Sequence, residues 1–135
     1  GDSVVYFENA NVAHMGDLVF NRAYPYIDPG AGADMQNWVK VLRKTAENLP
    51  ADAIYIFGHG DPAYGVLGAK VDVFRMSDFL EASLMYVQDG LAANKSKDEI
   101  SSLEVLPGFE DFATEGWFLG LDFVLNTAYD ELTRS

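Results

Sequence analysis

The chain has 135 residues, enough for one domain, is 49% hydrophobic and 22% charged, and carries a formal net charge of -12. A surface that acidic repels phosphate backbones and anionic lipid, which sets aside nucleic acid and membrane surfaces as partners. It has no cysteine, so disulfides, thiolate metal ligands and a cysteine nucleophile are excluded.

Ser3-Val4-Val5-Tyr6-Phe7 is β-branched and aromatic and predicts a strand. Glu8 to Asn11 reads as a turn, and Val12-Ala13-His14-Met15 as a second short strand, so the two suggest a hairpin. Residues 16–34, "GDLVFNRAYPYIDPGAGAD", are rich in Gly, Pro and aromatics without a helical period, and are expected to form a long, functional loop. Asp34 is placed to cap a helix whose apolar face is Met35, Trp38, Val39, Leu42, Ala46 and Leu49, with Pro50 ending it. Ala53 to Phe57 predicts the third strand.

The second half reads as helical. Ser77 is expected to cap a helix with the stripe Phe79, Leu80, Leu84, Val87 and Leu91, its last turn weakened by Gly90. Ser96 and Glu99 have capping-box spacing and open a short helix, which Pro107-Gly108 breaks. A last helix is expected from about Trp117. These elements imply one domain over 1–135, with a strand–helix–strand part (1–70) and a helical part (71–135). No apolar run approaches the length of a bilayer span, and no signal peptide is evident. The chain thus reads as soluble, cytoplasmic or periplasmic alike. Its start at Gly1, without a methionine, suggests a processed or cut chain.

Side chains alternate faces along a strand. In the first strand Val4 and Tyr6 oppose Val5 and Phe7; in the third, Ile54 and Ile56 oppose Tyr55 and Phe57. Both faces are apolar in both strands, so each needs a covering layer. Helices supply one layer, and the other is left to further helices or a second sheet.

The third strand runs into "IYIFGHGD", residues 54–61, which ends it in a histidine held between Gly58 and Gly60. Taken alone, that reads as a loop histidine bonded to backbone ahead of a ligand. Asp17 after Gly16 is, alone, equally a turn residue. Together they carry more. Met15-Gly16-Asp17-Leu18-Val19-Phe20-Asn21, then Tyr24-Pro25-Tyr26-Ile27-Asp28, a helix with an embedded Trp, and a strand ending in Gly58-His59-Gly60 resemble the C-terminal half of the metallo-β-lactamase fold superfamily over about residues 3–60.

The resemblance implies an α/β fold, half of an αββα sandwich: a short mixed sheet with helices packed outside, then a helical C-terminal segment. It implies that Asp17 is a carboxylate bridging two metal ions and that His59 is a ligand of the second ion. The cofactor implied is zinc, two ions in the complete enzyme, with iron or manganese as alternatives. A metal-bound hydroxide then attacks an ester, thioester, lactam or phosphoester of a small-molecule substrate. The family's H-x-H-x-D-H element is absent, and Phe57 stands where the family has proline. Two ligands do not build a binuclear site. The chain is therefore expected to be inactive alone, to bind little or no metal by itself, and to pair through its open sheet face with a missing N-terminal half or with a second copy as a homodimer. The alternative is a non-catalytic binding module that retains the fold.

His14, on a strand, reads as a histidine hydrogen-bonded within the sheet. Arg22, Tyr24 and Tyr26, in the loop beyond Asp17, either line a substrate groove or pack the loop. The Pro-Gly-Ala-Gly-Ala between Asp28 and Asp34 lacks the alternating oxygen ligands of a calcium loop and the Gly-Lys-Ser/Thr of a phosphate loop. Phe109, Phe112, Trp117 and Phe118 are expected to form an aromatic cluster, as core or as a lid at the domain edge ahead of a substrate-contacting role.

Overall fold

The computed structural model describes residues 2–112 and 116–134. Four strands, β1 (Val5–Phe7), β2 (Val12–Asn21), β3 (Ile54–Gly60) and β4 (Leu67–Gly68), form one mixed sheet in the order β1-β2-β3-β4. β1 and β2 make the expected antiparallel hairpin, with Val5 opposite His14 and Phe7 opposite Val12. β3 lies parallel to β2, and β4 returns antiparallel to β3. Parallel neighbours need a crossover, and here it is α1 (Met35–Asn48). The other helices are α2 (Lys70–Ala92), α3 (Lys97–Ser101) and α4 (Leu121–Thr133).

Two expected caps are present. The Asp34 carboxylate accepts from the Asn37 N–H at 2.8 Å and starts α1. Ser96 and Glu99 bond reciprocally at the start of α3.

Three expected boundaries move. Residues 16–21 are not loop: β2 continues through them to Asn21. The pattern breaks at Gly16 because that residue takes a left-handed φ of 53° at a register shift, after which Leu18, Val19, Phe20 and Asn21 are all buried. Ser77 caps nothing. It lies buried within α2 and donates to the Phe74 carbonyl at 2.8 Å, while α2 begins at Lys70 with the Asp72 carboxylate accepting from the Ala69 N–H. Gly90 lies in the last turn of α2, where a Cβ would meet Ile100 at 2.6 Å, so it also lets α3 pack close. The last helix starts at Leu121, after Gly120, and not near Trp117.

Among the described residues the sheet is covered on one side only. Ala13, Met15, Tyr55 and Phe57 point into the core and are at most 2% exposed. That core continues through Leu42 of α1, Phe79 and Leu80 of α2, and Leu125 of α4. Each such side chain contributes roughly 1.5–3 kcal/mol by leaving water. On the opposite face Val5, Phe7, Ile54 and Leu67 are between 49% and 62% exposed. The register lines these up: Val5, His14, Ile56 and Leu67 form one row across all four strands, and Phe7, Val12 and Ile54 form the next. His14 thus sits within an uncovered apolar face, its Nδ1 accepting the Gly16 N–H at 3.1 Å.

Candidate functional site

The site forms across the two parallel strands: Asp17 follows the register break at Gly16 within β2, and His59 is next to last in β3. β2 and β3 run together from Val12–Ile54 to Asn21–Gly60, and the irregular register after Gly16 sets Asp17 over Gly58. A Cβ at Gly58 would lie 2.5 Å from Asp17 Oδ1 and 2.7 Å from the Gly16 backbone. Only glycine leaves that space. A Cβ at Gly60 would run into the carbonyl of Gly65, so the second glycine admits the loop returning to β4. Glycine on either side of the histidine therefore serves two different close approaches.

With the chain so placed, His59 Nε2 and Asp17 Oδ1 lie 3.2 Å apart. Their side chains are 42% and 64% exposed, open enough to meet a ligand. The imidazole is held on its face. The Phe20 ring stacks on it at 4.6 Å and 14°, and the Trp117 ring leans on it at 5.8 Å. Trp117 is itself fixed, because its Nε1–H donates to the Tyr24 carbonyl at 2.8 Å. Trp38, from α1, donates likewise to the Leu18 carbonyl at 3.0 Å. Both tryptophans wall a cleft of about 740 Å³ that Asp17 and His59 also line.

The donor chemistry suits a divalent metal, one imidazole nitrogen and one carboxylate oxygen side by side on the two inner strands. Among the described residues no group of three or more His, Asp or Glu converges, and Asp17 with His59 stands as a pair of donors.

The three loop residues part company. Tyr26 lines the cleft, with its ring stacked on Phe123. Tyr24 is 5% exposed and packs against Phe79, and burial raises its hydroxyl pKa. Arg22 lies behind the site. Its guanidinium bonds to Asp72, to Asp111 at 3.2 Å and to the Asn21 side-chain oxygen at 2.8 Å. Arg75 bonds to the same Asp111 at 2.6 Å. Burial pushes the Asp111 carboxyl upward, but the bonds and charge of Arg75 and the bond from Arg22 outweigh it and hold its pKa below the ordinary value. This network ties the end of β2 to α2 and to the turn Glu110–Phe112.

The aromatic cluster divides as well. Phe109 and Phe112 pack on Phe79 in the core, whereas Trp117 and Phe118 reach the cleft. The residue that sequence reading did not single out is Phe20. Its position three residues after Asp17 was visible, but its stacking on His59 depends on the parallel pairing of β2 with β3.

The structure is similar to that of a double mutant of the sec-alkyl sulfatase PisA1, with a TM-score of 0.72 and 13% identity, over 96% of this chain and 22% of that one. The fold is half of a metallo-β-lactamase-like sandwich. The chain spans about a fifth of the length of that sulfatase. No family model and no curated protein matches the sequence. In this fold Asp17 and His59 meet across the two inner strands, and the exposed apolar face of the sheet lies on the side away from the helices.

Proposed function

We propose that this chain is the C-terminal portion of a metal-dependent hydrolase, most simply a zinc enzyme, in which Asp17 and His59 are metal ligands. The observation that carries this reading is the contact of these two donors, from adjacent parallel strands, at the mouth of an aromatic cleft. Bound zinc supplies Lewis acidity toward a carbonyl, phosphoryl or sulfuryl oxygen and an activated water. The residues of this chain then have separate tasks. Asp17 and His59 hold the ion, Phe20 and Trp117 fix the plane of the imidazole, and the cleft beyond them receives the substrate. The structural neighbour acts on sec-alkyl sulfates, which puts sulfate esters among the substrates to test, beside carboxylic, thio- and phosphoesters.

The remaining donors are proposed to come from an N-terminal half that covers the exposed face of Val5, Phe7, Ile54 and Leu67. A second copy of this chain is the alternative cover. The test is zinc affinity and hydrolysis of an alkyl sulfate and a generic ester, measured on the chain alone and with the complementary half supplied. The chain alone is expected to be weak in both, since catalytic zinc sites use three protein ligands. Tight stoichiometric zinc on the isolated chain, lost in Asp17→Ala, contradicts the half-site picture. Unchanged activity of the completed protein on losing either ligand moves catalysis away from Asp17 and His59, and no hydrolysis by the completed protein leaves a binding module that keeps the fold.

A further inference from the structure

We infer that the cleft beside Asp17 and His59 is a subsite for an apolar group that carries no negative charge. Naming that group the non-reacting part of the substrate rests on the metal-site reading; its chemistry does not.

The walls are aromatic. Phe20, Tyr26, Trp38, Trp117 and Phe118 all contribute to the lining, and Phe118 is 73% exposed there. Exposed aromatic surface around a cleft of about 740 Å³ favours an alkyl or aryl group, which gains by leaving water. The charges at the rim have one sign. Asp2, Asp17, Asp28 and Asp34 line the cleft, and among the described residues no lysine or arginine does.

The helix end beside the cleft offers an anion nothing either. The first amides of α1 lie beside the cleft, and a helix N-terminus attracts anions. Here the Met35 N–H donates to Glu131 at 2.6 Å, the Gln36 N–H to the same carboxylate at 3.3 Å, and the Asn37 N–H to Asp34 at 2.8 Å. A carboxylate ligand entering the cleft would thus meet like charge and no free donor at that helix end. An ammonium ligand would meet carboxylates and aromatic faces, both of which attract cations.

The test uses three hexyl probes of equal apolar size: 1-hexanol, hexylammonium and hexanoate. The chain's two tryptophans, Trp38 and Trp117, both line the cleft, so intrinsic emission reads it directly. Saturable blue shifts with hexanol and hexylammonium are expected, with hexanoate binding at least about tenfold more weakly. Phe118→Ala, at an exposed position, is expected to weaken the first two severalfold, and Asp28→Asn to narrow the gap to hexanoate. Hexanoate binding as tightly as hexanol, no saturable shift with any probe, or indifference to Phe118→Ala each overturns the inference. Zinc added alone to the same samples reads Asp17 and His59 separately. Hexanol binding beside zinc shifts at His59 that ignore Asp17→Asn upholds the apolar subsite and unseats the metal reading, whereas zinc held by Asp17 and His59 with no hexanol response overturns the subsite alone.

Discussion

Asp17 Oδ1 lies 3.2 Å from His59 Nε2, across two parallel strands that the chain joins through a whole helix. His14 lies only three residues before Asp17, yet its imidazole is on the uncovered sheet face and bonded to the Gly16 N–H. Spacing along the chain and membership of the site are therefore different things here. When the complementary half is supplied, His59→Ala is expected to lose metal and most hydrolytic activity. His14→Ala is expected to keep activity, at a stability cost of about 1 kcal/mol for one exposed hydrogen bond. Activity assays with metal content on both variants check this; equal losses would move His14 into the site.

Gly58→Ala is expected to damage the site without touching a ligand. The added methyl group would sit against Asp17 Oδ1 and the Gly16 backbone, and must push one of them away. Overpacking of this kind costs roughly 1–3 kcal/mol. The melting temperature should fall and the zinc response of His59 should weaken together. An unchanged zinc response would show that Asp17 does not depend on the space above Gly58.

Asp111 joins Arg22 and Arg75, and its carboxyl pKa is held below the ordinary value. A depressed folded pKa contributes stability that is present above the unfolded value, about 3.9, and is lost as pH falls through the folded value. The chain should therefore lose stability below about pH 4. Asp111→Asn should be less stable at neutral pH by roughly 2–3 kcal/mol, because two guanidinium groups lose their shared partner. Its acid slope should also be shallower. Denaturant unfolding at several pH values measures both, and a variant with the parent's acid slope would assign the acid loss to other carboxylates.

Local signals in the sequence read well. The Asp34 cap, the Ser96–Glu99 box and the hairpin each depend on residues a few positions apart, and each is present. The boundaries that moved depend on distant partners. β2 continues past Gly16 because β3 pairs with it there, and α2 starts at Lys70 with only Asp72 reaching back, so Ser77 was the more conspicuous cap. Asp17 and His59 were legible as a pair through a resemblance of order and spacing. The aromatic support was not, because Phe20 and Trp117 reach His59 from different ends of the chain. Position alone left Arg22 between lining a groove and packing the loop, and only the fold supplies the two aspartates that occupy it.

The bare face of Val5, Phe7, Ile54 and Leu67 should not stay in water. The isolated chain is expected to self-associate, most simply about a two-fold axis, burying roughly 800 Å² per partner. Phe7→Lys or Ile54→Lys should return it to a monomer with the fold intact. Solution mass and apolar dye binding decide the matter. A monomer at high concentration that binds no dye would mean that this face needs no cover, against the half-sandwich assembly.

The most direct measurement of the metal reading is imidazole nitrogen NMR of the chain titrated with zinc. Its two histidines report independently, one beside Asp17 and one on the bare sheet face. The His59 resonances are expected to move, with weak affinity, and to stop moving in Asp17→Asn, while those of His14 stay in place. Zinc shifts at His14 equal to those at His59, or shifts at His59 that ignore Asp17→Asn, would contradict a metal pair built from Asp17 and His59.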